Sequence, residues 1–533
     1  MSKPFYITTA IDYVNGQPHL GHAYEKIITD VIARARRSFG EPVFYLTGLD
    51  EHGQKVQQAA IKDGKSPQAY CDELAADWKA FAGTLNLTND DFVRTTEARH
   101  KATVQAILTK LNAAGHFYQA EYRGFYSQKE ETFLTEKDRQ PDGNFDPSYG
   151  EVLELVEHNY YFKLKDHQQW LIDYIEAHPE FIQPDYRRNE VLGFLKNNTL
   201  EDLCITRPAS RLNWGIPLPF DPGYVTYVWF DALVNYISVP ASLGDPTVCA
   251  ALPELKLETQ SAKRSLWPAD VHVLGKDILK FHAVYWPIML RAIFGVDADP
   301  KTYLPKQLLA HGWWQKDGAK ISKSTGNIVE PNKVIGEWGV DAFRYYVVRE
   351  LSIGPDGNWT DESFVSRYDS ELANGLGNLL NRSLSMLKKY RNGLLPQPTT
   401  QANGDTALVS TNDIPAIEAD LRAERLQSAL IKIQEIITRA NQYIQKTEPF
   451  RMAKVPEKAA ELEVVLYNLV ETCRILAVLL WPFIPATSEK IYAQLGLKGA
   501  PEKFSEAAWG QLAAGHAIGE PAALFPRKDL APK

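Results

Sequence analysis

Cysteine is scarce in this chain: four in 533 residues, at Cys71, Cys204, Cys249 and Cys473, with no Cys-x-x-Cys pair. Such spacing speaks against a disulfide framework and against a cysteine-based zinc site. Long apolar runs are missing too. The longest, 475–480 followed by Trp481-Pro482-Phe483-Ile484, is too short for a bilayer and reads as a buried helix end. There is no leader pattern, because Met1-Ser2-Lys3-Pro4 runs straight into a predicted strand, and a cytoplasmic protein without membrane attachment is expected. Low-complexity tracts and internal repeats are also absent. Basic residues are not in excess: 58 Lys and Arg stand against 66 Asp and Glu, a net charge of −8. That balance does not suggest nucleic-acid binding, but a local basic patch is compatible with it. What remains is an ordinary globular composition, 44% apolar and 23% charged, on a chain too long for one core.

Two short strings carry the chemistry. His19-Leu20-Gly21-His22 sits where an alternating apolar segment (Phe5, Ile7) gives way to a helical pattern, Ile27, Ile28, Val31, Ile32 and Ala35. Two histidines over a helix N-terminus offer donors to an anion, and the helix end adds partial positive charge. Some three hundred residues later, Lys320-Ile321-Ser322-Lys323-Ser324 lies in a Gly-rich polar loop from Asp317 to Asn327. Its lysines supply positive charge where negative charge develops on a triphosphate. Taken singly, either string is more often a structural histidine pair or a solvated loop. Their order and flanks change that balance.

Around them the pattern alternates strand and helix. Residues 4 to about 115 read as strand–helix–strand–helix, with Glu41 to Gly48 a buried parallel strand. A second α/β portion returns at Tyr224–Phe230 and Asp270–Gly275, before a helix that Asp277 opens. Two βα halves split by an insertion fit a doubly wound parallel sheet with ligands at the carboxyl ends of its strands. The insertion, Phe117 to Arg211, holds short aromatic strands (Tyr122–Phe125, Tyr160–Leu164) and a turn at Pro141-Asp142-Gly143. From Asp361 onward apolar residues recur at helical steps, which predicts an all-α bundle with a linker at Pro396–Thr411. Two further stripes stand out: Trp229, Ala232 and Tyr236 on one predicted helix, and Ile278, His282 and Trp286 at i, i+4 and i+8 on another. Aromatic stripes are usually core. Two of them beginning where a nucleotide would lie suit an apolar ligand, and a thioether fits aromatic walls well.

The paired strings resemble the HIGH and KMSKS signatures of class I aminoacyl-tRNA synthetases. The flanks, Ala10-Ile11-Asp12-Tyr13-Val14-Asn15-Gly16 and Asp50-Glu51-His52-Gly53, resemble the methionyl-tRNA synthetase family in particular. The resemblance covers nearly the whole chain. It implies a Rossmann-like catalytic domain in two halves (1–116 and 212–300), an inserted connective domain (117–211), a KMSKS and stem-contact region (301–365) and a helical anticodon-binding domain (366–533). It implies an ATP-dependent ligase that activates L-methionine and charges tRNA-Met, with Mg²⁺ carried on the phosphates.

Residue by residue, the resemblance assigns His19, His22, Lys320 and Lys323 to catalysis. It assigns His19, Gly21, His22, Gly275, Asp277, His311, Gly312, Lys320, Ser322 and Lys323 to ATP, with Trp313 beside the adenine. Methionine falls to Ala10, Ile11, Tyr13, Asp50, Trp229, Ala232, Tyr236, Ile278, His282 and Trp286, Asp50 meeting the α-ammonium and Tyr236 and His282 the sulfur. Asn378, Arg382 and Phe450 fall to the CAU anticodon. The family usually presents a tryptophan after Glu-Pro, where this chain has Glu448-Pro449-Phe450. Many members carry a Cys-x-x-Cys knuckle in the insertion, where this chain has Tyr126-Ser127-Gln128-Lys129-Glu130 and Phe145-Asp146-Pro147-Ser148. No structural zinc is therefore expected. No appended C-terminal module follows the bundle, so a monomer is expected. The insertion is too small for a separate editing domain, which agrees with the family's rejection of homocysteine within the synthetic site. Three other readings stand beside this one: a synthetase for another apolar amino acid or cysteine, a binding-only paralogue, and a small-molecule adenylate-forming ligase. The aromatic pocket, the intact lysine loop and the long bundle respectively argue against them.

Overall fold

Apolar runs closed by polar residues or glycine form the predicted parallel sheet. The computed structural model describes residues 3–14, 16–127, 129, 132–134, 136–255, 264–320, 327–398 and 408–528. The chain divides into two units, one of residues 1–17, 44–82 and 89–311, the other of 18–43, 83–88 and 312–533. In the first unit, strand Phe5–Thr9 lies between Val43–Asp50 and Val271–Gly275, and Gln307–His311 and Ile182–Gln183 continue the sheet. Asp12–Tyr13 and Asp91–Arg94 both pair with Val43–Asp50. The registers are parallel, with Ile7 opposite Val271, Val273 opposite Leu309 and Tyr13 opposite Asp50. Val271–Gly275 is buried along its whole length, as a strand covered on both faces must be. Gly48 has a packing reason: a Cβ there would lie 2.1 Å from the Val93 carbonyl oxygen.

Parallel strands end at one edge. Thr9, Tyr13, Asp50, Gly275 and His311 are the last residues of their strands, so all five finish together.

The insertion differs from its sequence reading in strand length. Phe117–Ser127 and Val152–Phe162 pair antiparallel over their entire eleven residues, and Thr132–Leu134 and Leu203–Cys204 flank them. Near the segments 126–130 and 145–148, a cation is clasped. The Arg139 guanidinium lies 4.4 Å from the Phe125 ring and 4.4 Å from the Phe145 ring. It also donates to the Gly143 carbonyl at 2.7 Å and to Glu136 at 2.8 Å. Asp146 accepts from the Ser148 N–H, and Gly143 takes the left-handed backbone that the predicted turn requires. Among the described residues, no group of three or more His, Cys, Asp or Glu side chains is placed to share a metal ion.

The second unit is mainly helical. Helix Leu20–Ser38, opened by the two histidines, belongs to it, with Val340–Glu350, Asn378–Arg391, Leu426–Thr447 and Ala459–Leu480. Of the expected linker, residues 399–407 lie outside the described residues. Among the described residues, no helix is long and apolar enough to cross a membrane.

One buried ion pair joins these helices. Asp30 and Arg344 are both fully buried, with Arg344 Nη2 donating to Asp30 Oδ2 at 2.7 Å. Arg344 also donates to the carbonyls of Phe483 (2.9 Å), Leu85 (3.0 Å) and Pro482 (3.1 Å). Asp30 accepts in addition from Arg34 at 2.8 Å and from the Thr88 N–H and hydroxyl, each at 2.7 Å. Burial alone would raise the Asp30 carboxyl. Arg344, Arg34 and Thr88 outweigh it, and the group sits below its ordinary value. Arg344→Met takes from buried Asp30 one of its two arginine partners, leaving Arg34, strips three carbonyls of their donor, and should cost about 3–5 kcal/mol, read as a lower chemical-denaturation midpoint. Arg344→Lys should recover little of it, because one ammonium cannot reach four acceptors spread around a planar fork.

Candidate active site

The edge where the five strands end carries the first group of expected residues. Ala10 follows Thr9 and is buried, its N–H donating to the Val273 carbonyl at 3.0 Å, and Ile11 packs partly buried beside it. Tyr13 and Asp50 are register partners. Gly275 and His311 are register partners on the other side of the first strand. A Cβ on Gly275 would lie 2.6 Å from Asp277 Oδ1, so this glycine makes room for the carboxylate that follows it. Asp277 is exposed, in a 3₁₀ turn rather than a regular helix opening.

The two aromatic stripes converge, but neither is a plain α-helix. Trp229 and Ala232 lie on the short helix Val228–Ala232 and Tyr236 on a second one, Asn235–Ser242. The strand expected at Tyr224–Phe230 ends at Thr226. The i, i+4, i+8 stripe runs from the 3₁₀ turn (Ile278) through a π-helical turn, Phe281–Tyr285 (His282), to the α-helix that Trp286 opens. π turns recur at functional sites.

His282 Nδ1–H donates to the Ile278 carbonyl at 2.9 Å, leaving Nε2 to accept the Tyr236 hydroxyl at 2.7 Å. With both nitrogens engaged the ring has no N–H for a third partner, and its part is to orient Tyr236. Tyr236 also faces Trp286, ring centroids 5.9 Å apart, and lies 4.1 Å from His272. Tyr236 and Trp286 are wholly buried and pack in the core. Trp229 is half-buried and stacks on Phe281 at 3.7 Å with 8° between planes. Phe281 was not singled out from the sequence, although it lies one residue before His282.

In the second unit, His19 caps helix Leu20–Ser38 and His22 is its third residue. The Gly21 N–H donates to His19 Nδ1 at 3.1 Å and the His19 N–H to His22 Nδ1 at 3.1 Å. The rings stack with centroids 3.6 Å apart. Since each Nδ1 accepts from an N–H, each neutral ring carries its proton on Nε2, as a donor. Gly21 has a local reason besides ligand approach: a Cβ there would meet His19 Cε1 at 3.0 Å. Gly312 is equally constrained, a Cβ falling 2.0 Å from the Pro355 carbonyl oxygen, and exposed Trp313 donates its N–H to Asp356 at 2.8 Å. Ala319–Lys320 pairs with Gln315 and Lys316. Ser322 and Lys323 lie outside the described residues, as does the side chain of Lys320. Asn378 is exposed and Arg382 half-buried one turn later, both on helix Asn378–Arg391, and Phe450 is exposed in the short helix Pro449–Met452.

Burial pushes the His282 imidazole down to about 4 from the usual 6.5. The unfolded chain takes up this proton near pH 6.5 and the folded one near 4. The stability is therefore fully present above pH 6.5, falls as pH drops through that window, and totals about 3 kcal/mol. His282→Gln should flatten the pH dependence of the denaturation midpoint between pH 6.5 and 4.

The model for "tRNA synthetases class I (M)" matches residues 5–150 and 149–384, and that for "Anticodon binding domain of methionyl tRNA ligase" matches 395–529. The chain is 41% identical to the methionine–tRNA ligase of Caldanaerobacter subterraneus subsp. tengcongensis, covering 99% of this chain and 80% of that protein. It is also 41% identical to that of Bacillus subtilis, covering 99% and 78%. Among solved structures, Mycobacterium tuberculosis methionyl-tRNA synthetase in complex with methionyl-adenylate superposes with a TM-score of 0.88 at 37% identity, covering 99% of this chain and all of that one. The free form of the same enzyme gives 0.81 at 34% identity.

Proposed function

The chain belongs to the methionyl family of class I tRNA synthetases and activates methionine with ATP before charging tRNA, and within that activity we propose the following division of labour. The methionine carboxylate attacks the α-phosphorus of ATP, forming the adenylate and releasing pyrophosphate, and the protein supplies position and charge rather than a covalent step. His19 and His22 present Nε2–H donors to the phosphates; the capping arrangement that fixes this tautomer is the observation that carries the reading. Lys320, Ser322 and Lys323 hold the triphosphate and the leaving pyrophosphate. Gly275, Asp277, His311 and Gly312 take the adenosine, Asp277 accepting from ribose hydroxyls. ATP arrives as its Mg²⁺ complex.

Methionine lies with its ammonium on Asp50 and its thioether among Ala10, Ile11, Tyr13, Trp229, Ala232, Tyr236, Ile278, His282 and Trp286. The tRNA anticodon, CAU, is read by Asn378 and Arg382 with stacking on Phe450; Phe450 lies within the segment 395–529 that matches an anticodon-binding family, and Asn378 and Arg382 lie on the helix that precedes it. The insertion at 117–211 folds without zinc, held by its sheet and the Arg139 clasp. A single chain carries every residue assigned here, which supports a monomer, and a cytoplasmic setting is consistent with ATP and tRNA as substrates.

Amino-acid-dependent exchange of pyrophosphate into ATP, across all twenty amino acids and homocysteine, tests the pocket. Strong exchange with methionine and little with leucine or cysteine is expected; a different preferred amino acid would overturn the pocket assignment. His19→Ala should lower kcat for exchange by roughly 10²–10³ with little change in methionine KM, as expected for a lost transition-state donor. Arg382→Ala should weaken tRNA charging and leave exchange intact. Prolonged chelator dialysis, with Mg²⁺ restored for the assay, should leave exchange and thermal midpoint unchanged, while Arg139→Ala should speed proteolysis within 117–211.

A further inference from the structure

Beneath the strand edge of the first unit lies a buried hydrogen-bond network that no step above uses. Its centre is Asp231, fully buried in helix Val228–Ala232. Asp231 Oδ2 accepts from His52 Nδ1 at 2.6 Å, and Oδ1 accepts from His100 Nε2 at 2.7 Å. The other nitrogen of His100 lies 3.2 Å from Ser238 Oγ, whose hydroxyl is 3.1 Å from the Asn235 carbonyl. Burial alone would raise the Asp231 carboxyl. The two imidazoles outweigh it and bring it down to about 2, so it is a carboxylate at working pH. A carboxylate only accepts, so both ring nitrogens facing it carry protons.

Such a group is costly to bury and adds little that apolar packing would not, unless it fixes geometry. Its members stand beside the assigned ligand residues. His52 comes two residues after Asp50, Asp231 sits between Trp229 and Ala232, and Ser238 comes two residues after Tyr236. The loop after strand Val43–Asp50, two separate short helices and helix Ala98–Ala113 are thus tied to one carboxylate. His52 is held further by its neighbours: Trp214 Nε1 donates to the Glu51 carbonyl at 2.5 Å and Arg94 to the Glu51 carboxylate at 2.6 Å.

We propose that Asp231 is a positioning residue for the amino acid. Through His52 on one side and His100 with Ser238 on the other, it fixes the span between the Asp50 carboxylate and the Trp229–Ala232–Tyr236 pocket. It thereby sets the side-chain length that satisfies both ends. The inference rests on the methionine site assigned above.

The test is pyrophosphate exchange by the full chain with methionine, the one-carbon-shorter S-methylcysteine and the one-carbon-longer ethionine. Asp231→Asn should raise methionine KM roughly tenfold, leave ATP KM within about twofold, and narrow the kcat/KM gap between methionine and both analogues. Equal rises in both KM values, or a lower thermal midpoint with methionine KM unchanged, would overturn it. If Asp231→Asn does not fold, Ser238→Ala decides, since it trims only the far end of the network. A methionine KM raised severalfold with ATP KM unmoved supports the proposal, and an unmoved methionine KM sinks it. Asp50→Asn and Tyr236→Phe separate the two ideas. If they leave methionine KM unchanged the site assignment fails; if they raise it while the network variants do not, only the positioning role fails.

Discussion

The second unit depends on the carboxylate of Asp30. It accepts from two arginines and a threonine, and Arg344 in turn gathers three carbonyls from two other segments of the chain. A buried pair of this kind contributes less net stability than its contacts suggest, because both charges must be desolvated. Its effect is geometric. Asp30 lies eleven residues beyond His19, roughly 16 Å along a rigid helix. Fixing the middle of helix Leu20–Ser38 against Arg344 also fixes where its first turn points. The histidines therefore inherit their position from a contact that touches no substrate.

At that first turn the chain solves two problems with the same side chains. A helix start leaves N–H groups without partners, and serine or aspartate usually caps them. Here imidazoles do so through Nδ1, and this forces the proton onto Nε2. Capping and donor orientation thus become one requirement. Gly21 belongs to it, since any larger residue would press on the His19 ring.

Much of this was legible in the sequence, for reasons that differ by residue. Val271–Gly275 was readable because a strand buried on both faces is apolar throughout. The histidine cap was readable because an apolar helical period begins immediately after it. The breaks at Leu233–Val234 and at Phe281–Tyr285 were not, since a stripe at steps of three and four looks alike whether the backbone is α, π or two short helices. The Asp231 network was invisible for another reason. His52, His100, Asp231 and Ser238 are scattered over 187 positions of the sequence, and only the sheet's crossovers bring them together. His52 stood inside a quoted motif and Asp231 between two assigned residues, so proximity in sequence was the one available signal. The Arg139 clasp was equally hidden, because Phe125, Arg139 and Phe145 follow no regular spacing.

In the proposed methionine pocket, the residues assigned to the ligand also hold the core. Tyr236 and Trp286 are wholly buried, and Tyr236 reaches across to Tyr6, whose hydroxyl donates to its carbonyl at 2.9 Å. Enlarging the pocket at either ring would also open a cavity in the core, with a cost of several kcal/mol for an aromatic truncated to alanine. Trp229 and Phe281 stand apart from that constraint, because both are only partly buried and their stack presents an open face. Adaptation to a different side chain is therefore cheapest at this stack and most expensive at the Tyr236–His282 pair. That ordering follows from burial alone.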